Sequence, residues 1–383
     1  MKVEVDSIIT KYLTDSQIPK DLLVDDGLCL VLGAPGTGKS FFLNNLRDSW
    51  LMDGYKGFSI DFENSANKLV SCENKRVIDF SNKDEFQKLE LFNFRPQSGE
   101  VFEKNELNKE GLPIYRFKLL REILKTFSLD CYDGETRAYI SSKVDGLLDE
   151  AISLTYLDFH KSNPSIDDFI INLRLIGKSH LLANNLAQNL ELFIERSDFY
   201  SWFSGQSEDE EHLDANYTVF NIPYSTSPII KLVAKAAFVV YLDRFNRRNF
   251  CVDKFVDIDA INELYQDPIL NLVGEIVTNP CISKGKGRNV FKSKGKQVLT
   301  LVCQHWGDYF YSGLCKLLNY PKYSSYVFAG TNPIEKSLYG LNQEQRKVIK
   351  NLTMGNRYFS ECLYTNKNTI LSIPRGSNLS NQR

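Results

Sequence analysis

Apolar and polar positions switch between two periods along this chain, and the switches mark its elements. The run Leu28-Cys29-Leu30-Val31-Leu32 is apolar at every position, as in a strand buried on both faces. Phe41-Phe42-Leu43-Asn44-Asn45-Leu46 follows and predicts a helix with one apolar face. Gly57-Phe58-Ser59-Ile60-Asp61 and Arg76-Val77-Ile78-Asp79-Phe80 read as short strands, each carrying an acid near its end, and Leu91 to Pro96 closes this block. From about Pro113 to Asp214 the period becomes helical. Phe117 to Leu124 is amphipathic, and Thr136 to Leu154 carries Ile140, Val144, Leu147, Leu148, Ala151 and Ile152 on one stripe. Ser165 precedes two acids and predicts a helix start, and Leu181 to Ile194 predicts a further helix. Strand patterns return at Tyr217 to Ile222, Phe250 to Asp259, Val298 to Cys303 and Tyr326 to Ala329, with two terminal strands around Glu361 and Ile370. Between the first two of these, Ile229 to Asn246 reads as a long apolar helix closed by arginines. Strands alternating with helices predict an α/β fold with a mostly parallel sheet. The helical stretch predicts an inserted all-helical subdomain, giving residues 1–112 and 216–383 as two parts of one core and 113–215 as the insertion.

Composition narrows the class. The chain has 383 residues, 43% hydrophobic and 25% charged, a balance able to bury a core. A formal net charge of -2 argues against wholesale nucleic-acid binding, although local patches remain open. The 8 cysteines contain no C-x-x-C pair and the 4 histidines have no metal-ligand spacing, so reduced thiols in a cytosolic protein are expected. The N-terminus lacks the apolar core of a signal peptide, and no apolar run approaches the ~18–20 residues of a membrane span. The acidic run Ser207 to Glu211 reads as a solvated loop.

The chemistry is concentrated where the first strand meets the first helix. Gly33-Ala34-Pro35-Gly36-Thr37-Gly38-Lys39-Ser40 fills every fixed position of the G-x-x-x-x-G-K-[ST] phosphate-binding loop, between a strand and a helix as that loop requires. Its glycines let backbone N–H groups turn toward phosphate oxygens, and the helix N-terminus adds partial positive charge. These residues, with Phe41 at the helix start, are the expected binding site for ATP. Lys39 is expected at the β- and γ-phosphates and Ser40 on Mg²⁺.

An acid at a strand end is needed to help hold Mg²⁺, and often a second to polarise the attacking water. Lys254-Phe255-Val256-Asp257-Ile258-Asp259-Ala260 supplies two registers. In one, Asp259 serves Mg²⁺ and the second acid is missing. In the other, Asp257 serves Mg²⁺, Asp259 partly replaces the base, and Glu263 lies one helical turn beyond. A surface strand with alternating acids is the plain alternative. Gln304, at the exit of the Val298–Cys303 strand, is a candidate contact to the γ-phosphate or the water. Lys284, Lys286, Arg288, Lys292, Lys294 and Lys296 form either a solvated loop or a basic edge directed at a neighbouring subunit's nucleotide or a phosphate backbone. Arg357 is a second residue that could act in trans.

The order of further motifs resembles the ATPase domain of the TraC-like ATPases of conjugative type IV secretion systems. It runs through Asp61 with Asn64-Ser65-Ala66, Asn93-Phe94, Ser201-Trp202-Phe203-Ser204-Gly205 and Val219-Phe220-Asn221. It continues through Asp267-Pro268, Gln304 with Asp308, Leu341 to Gln345, and Phe359-Ser360-Glu361. The resemblance spans about Val24 to Ile373 and implies a RecA-like P-loop NTPase core with an all-helical insertion. It implies a homo-oligomeric ring, such as a hexamer, on the cytoplasmic face of the inner membrane beside other secretion-system proteins. There, ATP hydrolysis powers pilus or channel assembly and substrate transfer. By position it makes Lys39 and Ser40 the nucleotide and Mg²⁺ residues, Asp259 the Mg²⁺ acid, Gln304 the sensor, and Lys292 to Lys296 the basic segment. The family's Asp-Glu pair is Asp259-Ala260 here, and its N-terminal domain before the loop is nearly absent, which implies a truncated or split relative. Two other classes stay open: a nucleotide-binding scaffold that barely hydrolyses ATP, which Ala260 favours, and a DNA-translocating, coupling-protein-like ATPase.

Overall fold

A computed structural model describes residues 9–12, 18–62, 66, 70, 72–81, 91–95, 100–102, 104–158, 164–196, 214–249, 251–259, 269, 272–278, 282–283, 295–303, 323–328, 341–352 and 359–374. Its strands are β1 Ile9–Tyr12, β2 Gly27–Leu32, β3 Lys56–Asp61, β4 Lys75–Asp79, β5 Glu100–Val101, β6 Tyr217–Asn221, β7 Lys254–Ile258, β8 Ile282–Ser283, β9 Gln297–Cys303, β10 Tyr323–Phe328, β11 Phe359–Tyr364 and β12 Thr369–Pro374. Its α-helices are α1 Lys39–Met52, α2 Ile114–Ser128, α3 Gly134–Asp158, α4 Ile166–Gly177, α5 Leu181–Arg196, α6 Pro228–Arg248, α7 Leu272–Thr278 and α8 Gln343–Asn351.

Among the described residues, ten strands form one sheet in the order β1-β12-β11-β10-β2-β9-β7-β3-β6-β4. From β10 to β4 every pairing is parallel. The edge is different: β11 runs antiparallel to both β10 and β12, and β1 adds on parallel to β12. The pattern had predicted β11 and β12 but not β1. The central strands are buried at every position, including all of β2, β6, β7 and β9. Such strands need near-continuous apolar runs because helices cover both faces.

The two faces have separate cores. Cys29, Val31, Val219, Phe255, Val298 and Val302 pack with Phe42, Leu43, Leu46 and Trp50 of α1. Leu30, Leu32, Phe58, Ile60, Phe220, Ile258 and Leu301 face the other way, toward Phe238, Val239 and Phe245 of α6 and the helices α2 to α5. These four helices, between β4 and β6, pack on one another and share that second cluster with the sheet, with Phe127 and Phe193 stacked at 4.5 Å between centroids. Arg116 of α2 pins them to α6 by an ion pair with buried Asp243 at 3.3 Å, and Arg247 adds a second pair at 3.1 Å. Helix starts follow their cap residues. Ser165 and Asn342 each form a reciprocal capping box, and Ser227 caps α6 ahead of Pro228.

Because the central strands are parallel, their carboxyl ends share one edge of the sheet. The chain leaves β2 through α1 toward β3 on one side, and after β9 it re-enters as β10 on the other side of β2. The crevice outside such a reversal point is where open α/β sheets bind ligands.

Candidate nucleotide site

The phosphate loop sits at that reversal point, between the end of β2 and the start of α1. Gly33 donates its N–H to Cys303 O at 3.3 Å, tying the loop to the end of β9. A Cβ on Gly33 would lie 2.6 Å from Phe328 Cβ on β10, so only glycine lets the loop cross here. Gly36 and Gly38 have φ of 76° and 100°, a left-handed backbone that other residues adopt at a cost. The Thr37 hydroxyl donates to Ala34 O at 2.8 Å and the Lys39 ammonium to the same oxygen at 2.9 Å, which curls the loop around its own centre. Gly38 is the N-cap of α1 and has no side chain to cap it. The first-turn N–H groups lack intrahelical acceptors and point, with the positive end of the helix dipole, at the space the loop encloses. A triphosphate tail fits this donor set. The Ser40 hydroxyl and the Asp259 carboxylate are hard oxygen donors of the type Mg²⁺ takes.

Asp257 and Asp259 lie two residues apart on β7 and its continuation, so both point to the face covered by α1. Asp257 is fully buried and committed. Arg47 of α1 donates to it through Nε at 3.2 Å to each carboxylate oxygen and again through a terminal nitrogen, while another terminal nitrogen reaches Asn44 Oδ1 at 2.6 Å. The Ser59 hydroxyl of β3 also donates to Asp257, and its oxygen lies 2.8 Å from the Tyr217 hydroxyl of β6. Burial opposes the Arg47 charge, yet Asp257, with a smaller contribution from Asp259, outweighs it and holds the guanidinium above its usual pKa. Burial likewise pushes the Tyr217 hydroxyl well up, so it stays neutral. The pattern of acids on β7 had suggested Asp257; nothing in a linear reading marked Arg47, Ser59 or Tyr217. The signal was an arginine inside the apolar run of α1, since a buried arginine demands a buried acid.

Asp259 stands one strand repeat closer to the carboxyl edge, about 7 Å beyond Asp257. It is 3% exposed, and its N–H donates to Ile60 O at 3.1 Å. The strand carrying it is not beside β2. β9 intervenes, which sets β7 about 10 Å from the phosphate-loop strand. On the helix, Ser40, Asn44 and Arg47 share one face by their spacing. Since Arg47 meets Asp257, the Ser40 end of that face is directed toward the level of Asp259. The next residues outward complete a row on the same side of the sheet. By register, Asp61 of β3 follows the Ile60–Ile258 pair, and Asn221 of β6 aligns with Asp61 and with Asp79 of β4. Asp61 and Asn221 are buried, and Ala66 N–H donates to Asp61 Oδ2 at 2.7 Å.

Gln304, Ala260, Glu263, the lysines and arginine from Lys284 to Lys294, and Arg357 lie outside the described residues. Lys296 is described. It begins the lead into β9, at the sheet edge opposite the phosphate loop, and pairs with Asp25 at 2.8 Å. It is therefore remote from the site of its own chain.

No protein-family model matches the sequence, and no curated protein matches it. Solved structures do match in fold. The structure of VirB4 of Thermoanaerobacter pseudethanolicus superposes with a TM-score of 0.63 at 14% identity, covering 93% of this chain and 91% of that one. The bacterial conjugative coupling protein TrwB, in a sulphate complex, gives 0.57 at 14% identity over 97% and 90%. TrwB in complex with ADP and Mg²⁺ gives 0.54 at 14% identity over 97% and 89%. The chain has the RecA-like P-loop fold of these proteins along nearly its whole length.

Proposed function

We propose that this chain binds ATP with Mg²⁺ and hydrolyses it as a motor of a type IV secretion or conjugative transfer apparatus. The observation that carries the reading is the phosphate loop, curled at the carboxyl edge of β2, with Asp259 on the α1 face two strands away. The fold match to VirB4 and TrwB supports the choice of apparatus. The core is read as 1–112 and 216–383, interrupted by the helical insertion 113–215.

In this reading the loop N–H groups and the first turn of α1 bind the β- and γ-phosphates. Lys39 exchanges its bond to Ala34 O for the γ-phosphate. Ser40 and Asp259 would hold Mg²⁺, which neutralises charge on the phosphates as the γ-phosphoryl group departs. Asp257 keeps α1 in register with β7 through Arg47 and contacts no ligand. Gln304, which follows β9 in the sequence, is in this reading the residue that senses the γ-phosphate. The chain assembles as a ring on the cytoplasmic side of the inner membrane, where a basic residue of the Lys292–Lys296 segment or Arg357 serves the next subunit's nucleotide. Among the described residues no helix is long and apolar enough to cross a membrane.

Ala260 favours a second reading, a scaffold that binds ATP and hardly turns it over. Steady-state turnover separates the two. A motor hydrolyses ATP in a way that Lys39→Ala and Asp259→Ala abolish, and a scaffold shows no turnover to lose. A coupling-protein-like role predicts salt-sensitive DNA binding, which the net charge of -2 does not favour.

A further inference from the structure

The residue after Asp259 is alanine, so the segment that supplies the Mg²⁺ acid brings no second acid beside it. The sheet brings one from elsewhere. β3 is the neighbour of β7, in register through Ile60 and Ile258, and the following residues of the two strands are Asp61 and Asp259. Both point to the α1 face, because Ser59 and Asp257, two residues earlier, meet each other there. Asp61 is fully buried, and the Ala66 N–H at 2.7 Å holds one of its oxygens. The next position across the sheet is Asn221. Its side chain is 1% exposed, and neither its amide oxygen nor its amide nitrogen has a hydrogen-bond partner among the described residues. A buried amide with both ends unsatisfied costs free energy unless something polar completes it. Asp79, the outer member of the row, is satisfied locally by Ser81. The unmet hydrogen-bonding capacity therefore lies beside Asp61, on the side of the sheet where α1 and its phosphate loop lie.

The geometry points to Asp61 as the catalytic acid that orients the attacking water, with Asn221 as the second contact to that water. The inference rests on the ATPase reading above. Asp61 accepts a hydrogen bond from the water and the Asn221 amide fixes its position, so that a lone pair faces the γ-phosphorus. The water oxygen bonds to phosphorus. The bond from phosphorus to the β,γ-bridging oxygen breaks, its electron pair leaving with ADP, and both water hydrogens depart on inorganic phosphate. The supply of this acid from a neighbouring strand explains how Ala260 is compatible with turnover.

The test compares wild type, Asp61→Asn, Asn221→Leu and Lys39→Ala as full chains, by ATP turnover, affinity for a fluorescent ATP analogue with Mg²⁺, and thermal melting. In Asp61→Asn the Ala66 N–H selects the side-chain oxygen, which leaves an NH₂ donor where the water needs an acceptor. The expected result is a fall in kcat of about 100-fold or more, with affinity and Mg²⁺ requirement unchanged. Asn221→Leu should lower kcat about tenfold at unchanged affinity, and it decides the matter if Asp61→Asn does not fold. Turnover that Lys39→Ala abolishes but that neither row variant reduces overturns the role of Asp61 and leaves the ATPase reading standing. A fall in kcat matched by an equal loss of affinity overturns it too, since the row would then bind rather than position water. Absence of wild-type turnover, or turnover that Lys39→Ala leaves intact, overturns both.

Discussion

Two aspartates two residues apart meet different fates because one is already neutralised. Asp257 is enclosed with Arg47, Ser59 and Tyr217, and its charge is used up inside the fold. Asp259, nearer the carboxyl edge, is the one on the level to which the Ser40 end of α1 is directed. The pair should therefore separate under mutation. Arg47→Ala strands a buried carboxylate and should cost about 3–5 kcal/mol of unfolding free energy, read by chemical denaturation. Asp259→Asn should leave the melting temperature close to wild type and remove Mg²⁺-dependent turnover. If Arg47→Ala melts like wild type, the buried pair does not hold α1 to β7.

At the scale of elements, the helix starts and the loop carry separable contributions. Gly33→Ala forces a Cβ against Phe328 and should loosen nucleotide binding, measurable as a weaker dissociation constant. Ser165→Ala removes half of a capping box at the start of α4 and should lower stability by about 1 kcal/mol without touching the nucleotide. The junction between α2 and α6 should be sensitive to acid. Burial alone would raise the Asp243 carboxyl, but Arg247 and Arg116, aided by the Tyr115 hydroxyl, outweigh it and hold its pKa below the usual range. A carboxyl depressed in the folded state stabilises the fold above its unfolded pKa of about 4 and loses that contribution as pH falls through the lower folded value. The melting temperature should thus drop more steeply below about pH 4 in wild type than in Asp243→Asn. Equal slopes would show that the junction carries no such charge.

Much of this was legible in the chain and some was not, for physical reasons. Strands buried on both faces announce themselves as near-continuous apolar runs, which is how β2 and β9 stand out. The phosphate loop is legible because phosphate binding needs glycine at fixed places. Strand order is not written locally. Nothing in residues 254 to 259 says that β9 will intervene between them and β2, or that Asp61, nearly two hundred residues earlier, will become the neighbour of Asp259. The edge strand β1, four residues long, is too short to carry a period.

For the whole molecule, a net charge of -2 does not favour binding to nucleic acid by bulk attraction. Lys296 faces away from the site of its own chain, so any nucleotide it served would be a neighbour's. Specific activity should accordingly rise with protein concentration as subunits associate, tracked by turnover alongside sedimentation; activity independent of concentration across dissociation would rule out a shared site. The most direct measurement is calorimetric titration of the full chain with ATP and Mg²⁺. Saturable binding of one nucleotide per chain that Lys39→Ala eliminates, at an unchanged melting temperature, is the predicted result. The contradicting result is no heat of binding, or the same binding with and without the lysine.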